Sequence, residues 1–208
     1  MKLWVPTFFF LCISSAAALS HSTTSGRSGN SGSSEDLVRT SCIHASYPDL
    51  CLRTLSTYGG KPKTPNDLAQ AAVNVSLSRA RKVSKYLSQV GTSLGGGVSN
   101  KRQRVAVSDC VEQLSDSVDE LRKTLSELRN LRSRNGMFRW HMSNAETWVS
   151  AALTDEDTCL DGFQDVGGSG GNGKMVKSSD VKRKMSNVAK VTSNALYLIN
   201  RLDDDRGR

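Results

Sequence analysis

The sequence predicts an all-α protein: an antiparallel up-down four-helix bundle with an N-terminal helical hairpin. Three observations carry that reading. Apolar residues recur at steps of four and three through four long segments, the spacing that puts one stripe on one face of a helix. The segments are separated by the breakers GTSLGGGVSN, SRNG and GGSGGNGK. No alternating apolar and polar run is long enough to suggest a strand.

In chain order, Lys2 is followed by the apolar run LWVPTFFFLCI and the small residues of SSAAALS, so residues 1–20 read as a signal peptide. The apolar stretch is too short to span a bilayer, and no later segment approaches the required length. The mature chain is therefore expected to be secreted and soluble, starting near His21. Residues 21–35, HSTTSGRSGNSGSSE, have no apolar side chain to bury and read as a disordered arm. One folded domain is expected over residues 36–205, opening with a helical hairpin at 36–58 that turns around Pro48.

The first long helix carries Leu68, Ala72, Val75, Val83, Leu87 and Val90 on one face. The second carries Val107, Val111, Leu114, Val118, Leu121, Leu125 and Leu128. The third carries Ala145, Trp148, Ala152, Cys159 and Phe163, with Ala151 and Leu153 also read as core. The fourth carries Val181, Met185, Val188, Thr192, Ala195, Ile199 and Leu202. No amphipathic helix can bury its own stripe, so four of them with short connections pack together as a bundle.

The chain has 28 Lys and Arg against 20 Asp and Glu, and loss of Lys2 leaves a net charge of +7. Such a charge favours polyanionic surroundings, and for a secreted chain these are acidic polysaccharides or anionic proteins rather than nucleic acid. Of five cysteines, Cys12 leaves with the signal peptide. The remaining four allow three connectivities in an oxidising compartment. Spacing favours Cys42 with Cys51 across the turn in CIHASYPDLC, leaving Cys110 and Cys159 to join two long helices. Such loops contribute roughly 3 and 4 kcal/mol in the chain-entropy account. Zinc is disfavoured because no pair of CxxC knuckles is present, and neither a metal nor a cofactor is expected.

Catalytic readings find little support. His21, His44 and His141 have no Ser or Cys nucleophile in a recognisable setting. GSGGNGKM at 168–175 matches a phosphate-loop pattern, but Met175 stands where the Ser or Thr belongs and no strand precedes it; it reads as an interhelix loop. Glu112 and Asp116 lie four apart on one helix face, and Asp155, Asp157 and Asp161 crowd the end of the next helix. Paired carboxylates suit a glycosidase, which also needs a deep aromatic sugar cleft that a narrow bundle does not offer. The same acids suit a contact surface better. A Cys110–Cys159 crosslink would hold Glu112 and Asp116 beside Thr158 and Asp161, and a rigid helical face loses little freedom on binding.

SCIHASYPDLC, DCVEQLSDSVDEL and above all WVSAALTDEDTCLDGF resemble the plant invertase and pectin methylesterase inhibitor family, from residue 36 to about 202, with four cysteines in order. The resemblance implies the bundle with its hairpin, bridged Cys42–Cys51 and Cys110–Cys159. It implies an inhibitor without catalytic activity that binds its enzyme one-to-one and blocks the carbohydrate cleft. Carried over residue by residue, the positions that contact pectin methylesterase are Glu112, Asp116, Thr158 and Asp161, and all four match in type. The Pro-Lys-Phe motif of invertase inhibitors is missing from SRNGMFRWHM, which favours pectin methylesterase as partner over acid invertase of the cell wall or vacuole. A pro-region of a longer esterase is disfavoured because the chain stops at Arg208. The expected location is the apoplast and cell wall, with weak binding to acidic pectin and no membrane partner. Asn74, in the sequon NVS, is a glycosylation candidate.

Overall fold

The computed structural model describes residues 32–94, 101–131, 136–164 and 178–204. The signal peptide, residues 21–31 of the arm and the loop at 168–175 lie outside them. Six helices follow one another: α1 (Gly32–Cys42), α2 (Pro48–Ser56), α3 (Pro65–Ser93), α4 (Lys101–Asn130), α5 (Phe138–Gly162) and α6 (Ser178–Asp204). Among the described residues there is no strand, and the all-helical expectation is met.

The four long helices form a ring in which α3 packs on α4, α4 on α5, α5 on α6, and α6 back on α3. Their directions follow from cross-contacts. At one end of the first seam the Asn66 amide donates to the Leu128 carbonyl at 3.0 Å, and at the other Gly91 faces Val107, so α3 and α4 run antiparallel. On the next seam Cys110 is bonded to Cys159 and Glu127 meets His141, again antiparallel. Arg79 with Asn187 and Tyr86 with Lys184 give the same result for α3 and α6.

The core is built on the predicted stripes, although Val75 and Val90 of α3, Val111 of α4, Trp148 of α5 and Leu202 of α6 are only half-buried at its edge. Leu68, Leu87, Leu114, Leu121, Leu128, Met185 and Ile199 are among the largest fully buried side chains. At about 25 cal/mol per Å² of apolar surface, burying one such side chain stabilises by roughly 1.5–3 kcal/mol.

Local chemistry sets the helix ends. The Thr64 hydroxyl accepts from the Asp67 amide at 3.1 Å, and the Asp67 carboxylate accepts from the Thr64 amide at 3.1 Å, a reciprocal cap that starts α3 with Pro65 in its first turn. The helix then continues through Gly91, part of the stretch expected to be loop. A Cβ at that glycine would lie 3.4 Å from Val107 Cγ1, so its missing side chain lets α4 approach closely. At the N-terminus α1 starts at Gly32, four residues before the expected onset of order at Asp36. Glu35 sits in its first turn and pairs with Arg39 one turn on, which favours that extension.

The hairpin of α1 and α2 is closed by Cys42–Cys51, with a Cα separation of 5.5 Å. One side chain of α6 clamps its turn to the bundle. Asn194 of α6 accepts from the Tyr47 amide at 2.8 Å and donates to the Tyr47 carbonyl at 3.0 Å. Val38, Ala45 and Leu55 join the main core beneath it.

Candidate protein-binding face

The α4/α5 seam combines the crosslink with the acids. Cys110 and Cys159 bring the two backbones to a Cα separation of 4.6 Å. Farther along, Lys123 Nζ lies 4.2 Å from the centre of the Trp148 ring, and His141 Nδ1 is 2.6 Å from Glu127 Oε2.

Two rows of residues flank the outer side of this seam. Glu112, Asp116 and Glu120 follow one another at four-residue steps on α4, and Asp155, Thr158 and Asp161 at three-residue steps on α5, spacings that place neighbours on one helix side. The rows are tied together where Glu120 hydrogen-bonds Asp155. The sequence-predicted residues Glu112, Asp116, Thr158 and Asp161 are all exposed. The Thr158 hydroxyl donates to the Thr154 carbonyl at 2.8 Å, and Asp161 accepts from the Gln164 amide at 2.7 Å. Both bonds are local and fix side-chain direction without consuming the remaining acceptor capacity.

Glu120 and Asp155 extend the rows and were not singled out as contacts by sequence. Partial burial, the hydrogen bond with Asp155 and the nearby Asp155 and Asp116 charges push the Glu120 carboxyl up to about 7. Burial also raises Asp155, with Asp116 adding to the shift. Below about pH 7 the Glu120 carboxyl is mostly protonated and can donate to Asp155, which lets the two carboxyls sit together without full repulsion. Burial and the Asp161 charge raise Asp157 as well.

Behind the rows lies a residue that the sequence reading missed. Glu156 is 0 % exposed; its Oε1 accepts from the Ser117 hydroxyl at 2.8 Å and the Thr192 hydroxyl at 3.0 Å, which joins α4, α5 and α6 through one oxygen. Its Oε2 is buried with no hydrogen-bond partner. Burial pushes its carboxyl up to about 8, against the two hydroxyls that stabilise the charge. The signal was present in the chain: Glu156 comes seven residues after Val149, four after Ala152 and three before Cys159, on the buried stripe. Trp148, expected in that stripe, is only half-buried and lies under Lys123, while Val149 is fully buried. Ala152 is buried as expected, whereas Ala151 and Leu153 are half-buried at the stripe's edges.

Asn74 lies mid-helix on α3, half-buried, with its amide nitrogen donating to the Gln70 carbonyl at 2.9 Å. Among the described residues no cluster of His, Cys, Asp and Glu could hold a metal ion.

Comparisons with known proteins agree with this architecture. The chain is 50% identical over 204 residues to pectinesterase inhibitor 3 of Arabidopsis thaliana, covering 96% of this chain and 94% of that protein. It is 38% identical over 210 residues to pectinesterase inhibitor 9 of the same plant, covering 99% and 98%. A crystal structure of a mutant pectin methylesterase inhibitor from Arabidopsis superposes with a TM-score of 0.59 at 23% identity, over 76% of this chain and 92% of that one, and so shares the fold. The sequence model of the family described as "Plant invertase/pectin methylesterase inhibitor" matches residues 36–198, and the chain belongs to that family.

Proposed function

We propose that this protein is a secreted inhibitor of plant pectin methylesterase that binds the enzyme one-to-one through the α4/α5 face and blocks its pectin-binding cleft. The observation that carries the reading is the pair of exposed rows, with Glu112, Asp116, Thr158 and Asp161 fixed on two helices by the Cys110–Cys159 bridge. Two similar proteins named pectinesterase inhibitors support the choice of target, and an inhibitor of this kind is a binding protein rather than an enzyme. Little side-chain or backbone order remains to be imposed when such a face docks, so the binding energy is not spent on ordering it.

The place of action is the apoplast and cell wall. The leader supports that reading, and among the described residues no helix is long and apolar enough to cross a membrane. The chain's positive charge further favours weak association with acidic pectin.

Titration of the purified mature protein against a pectin methylesterase and an acid invertase in parallel tests the proposal. Stoichiometric loss of esterase activity with invertase untouched is the expected result; the converse would assign the chain to invertase.

A further inference from the structure

Charge is divided between opposite sides of the bundle. The α3/α6 seam lies diagonally across the ring from the α4/α5 seam. After Asp67, α3 has no acidic residue, and α6 has none between Asp180 and Asp203. Basic side chains fill the gap.

Contacts place these side chains along one line. Lys184 Nζ lies 4.8 Å from the centre of the Tyr86 ring, Arg79 donates to Asn187 Oδ1, and Lys190 Nζ lies 5.3 Å from the centre of the Tyr47 ring. Lys82, three residues after Arg79 and four before Tyr86, shares that side of α3. From Lys184 to Asn194 the line runs about 15 Å, at 1.5 Å per residue.

Arg53 of α2 belongs to the same field: burial first, and then the Arg53 charge, lower the Arg79 pKa, so the two guanidinium groups repel one another. Among the described residues, no carboxylate pairs with Arg53, Arg79, Lys82, Lys184 or Lys190. An anion bridging the two guanidinium groups would relieve that repulsion and satisfy their forked donors.

We infer that the α3/α6 seam, with Arg53, binds de-esterified pectin, a linear polygalacturonate, while the α4/α5 face remains free for the enzyme. The choice of ligand rests on the proposed function. Hydrolysis of each pectin methyl ester releases methanol and leaves a carboxylate on the polymer, so the target enzyme makes a linear polyanion around itself. A straight seam of cations fits such a chain. Tyr47, 39 % exposed, adds a flat apolar rim against which a sugar ring can rest.

The test is retention of the mature protein on immobilised polygalacturonate over a salt gradient. Fully methyl-esterified pectin and phosphatidylserine-containing vesicles serve as comparison probes. The seam variant is Arg79→Gln/Lys184→Gln/Lys190→Gln. A charge-matched control is Arg122→Gln/Arg129→Gln/Arg139→Gln on α4 and α5. The expected result is salt-sensitive binding to polygalacturonate that weakens about tenfold in the seam variant and little in the control, with esterase inhibition by the seam variant unchanged. Equal loss in both variants, undiminished binding by the seam variant, equal wild-type binding to the esterified polymer, or binding to vesicles alone would overturn the assignment. A wild-type protein that binds polygalacturonate at this seam but fails to inhibit the esterase removes the proposed function and leaves the seam's role standing.

Discussion

The hydroxyl of Ser117 on α4 lies 2.8 Å from Oε1 of Glu156 on α5, inside the core and directly behind the exposed acid rows. Because the Glu156 carboxyl is raised from the ordinary 4.5 to about 8, the folded protein keeps a proton there that the unfolded chain releases. The group's contribution is therefore full below pH 4.5 and is lost as pH rises toward about 8. The slope approaches about 1.4 kcal/mol per pH unit between those limits. Melting temperatures measured from pH 5 to 8 should fall for the wild type. Glu156→Gln keeps an acceptor for both hydroxyls and cannot ionise, so its curve should be flatter and higher near neutrality. Parallel curves would show that Glu156 does not set this dependence.

Thr158→Ala/Asp161→Ala should weaken esterase inhibition while helix content and melting temperature stay nearly constant. Both side chains are exposed and bond only within α5 and its C-terminal end, so folding needs neither. In the complex their loss would strand enzyme groups at about 1–3 kcal/mol each. Intact inhibition by the folded double variant would remove these two positions from the contact set.

Much of this architecture is legible in the chain because buried stripes leave a strong period. The spacing predicts the stripes of α4 and α6 residue by residue, and all but Val111 and Leu202 of them are buried. On α5 the spacing predicts Trp148 on the stripe, whereas the fully buried residue is its neighbour Val149. Lys123 from α4 covers the Trp148 ring, a partner that no local pattern shows. Glu156 escaped because an acid on an apolar stripe reads as a break, and Ser117 and Thr192, which make its burial tolerable, come from two other helices. Composition places Gly91 in a loop, whereas the close approach of Val107 makes a helical glycine useful there.

Opening Cys110–Cys159 should abolish inhibition. In the chain-entropy account a loop of 49 residues is worth roughly 4 kcal/mol, and the same bond aligns the two acid rows. A Cys110→Ser/Cys159→Ser variant assayed for thermal melting and inhibition should lose both. Full inhibition after loss of the bond would show that packing alone aligns the face.

Asn194→Ala should loosen the hairpin without touching the contact face. It removes the acceptor for the Tyr47 amide and one of two donors to the Tyr47 carbonyl, which keeps the Cys51 amide at 2.9 Å, so the cost is at most about 1–3 kcal/mol for the one part-buried amide left unpaired. Hydrogen exchange should quicken in α1 and α2, with inhibition retained. Unchanged exchange there would mean that the apolar contacts of Val38 and Leu55 hold the hairpin unaided.

The ring order of the four long helices bears on how the chain finds its fold. Three of the four seams join helices that follow one another in sequence, so each forms by closing a connection of no more than about 15 residues, and closure entropy grows only slowly with that length. Only the α3/α6 seam must bring together distant parts of the chain. Local seams favour rapid assembly, and the slowest search falls on the closure between α3 and α6. The Tyr47–Asn194 clamp, which itself spans 147 positions, belongs to that closing stage.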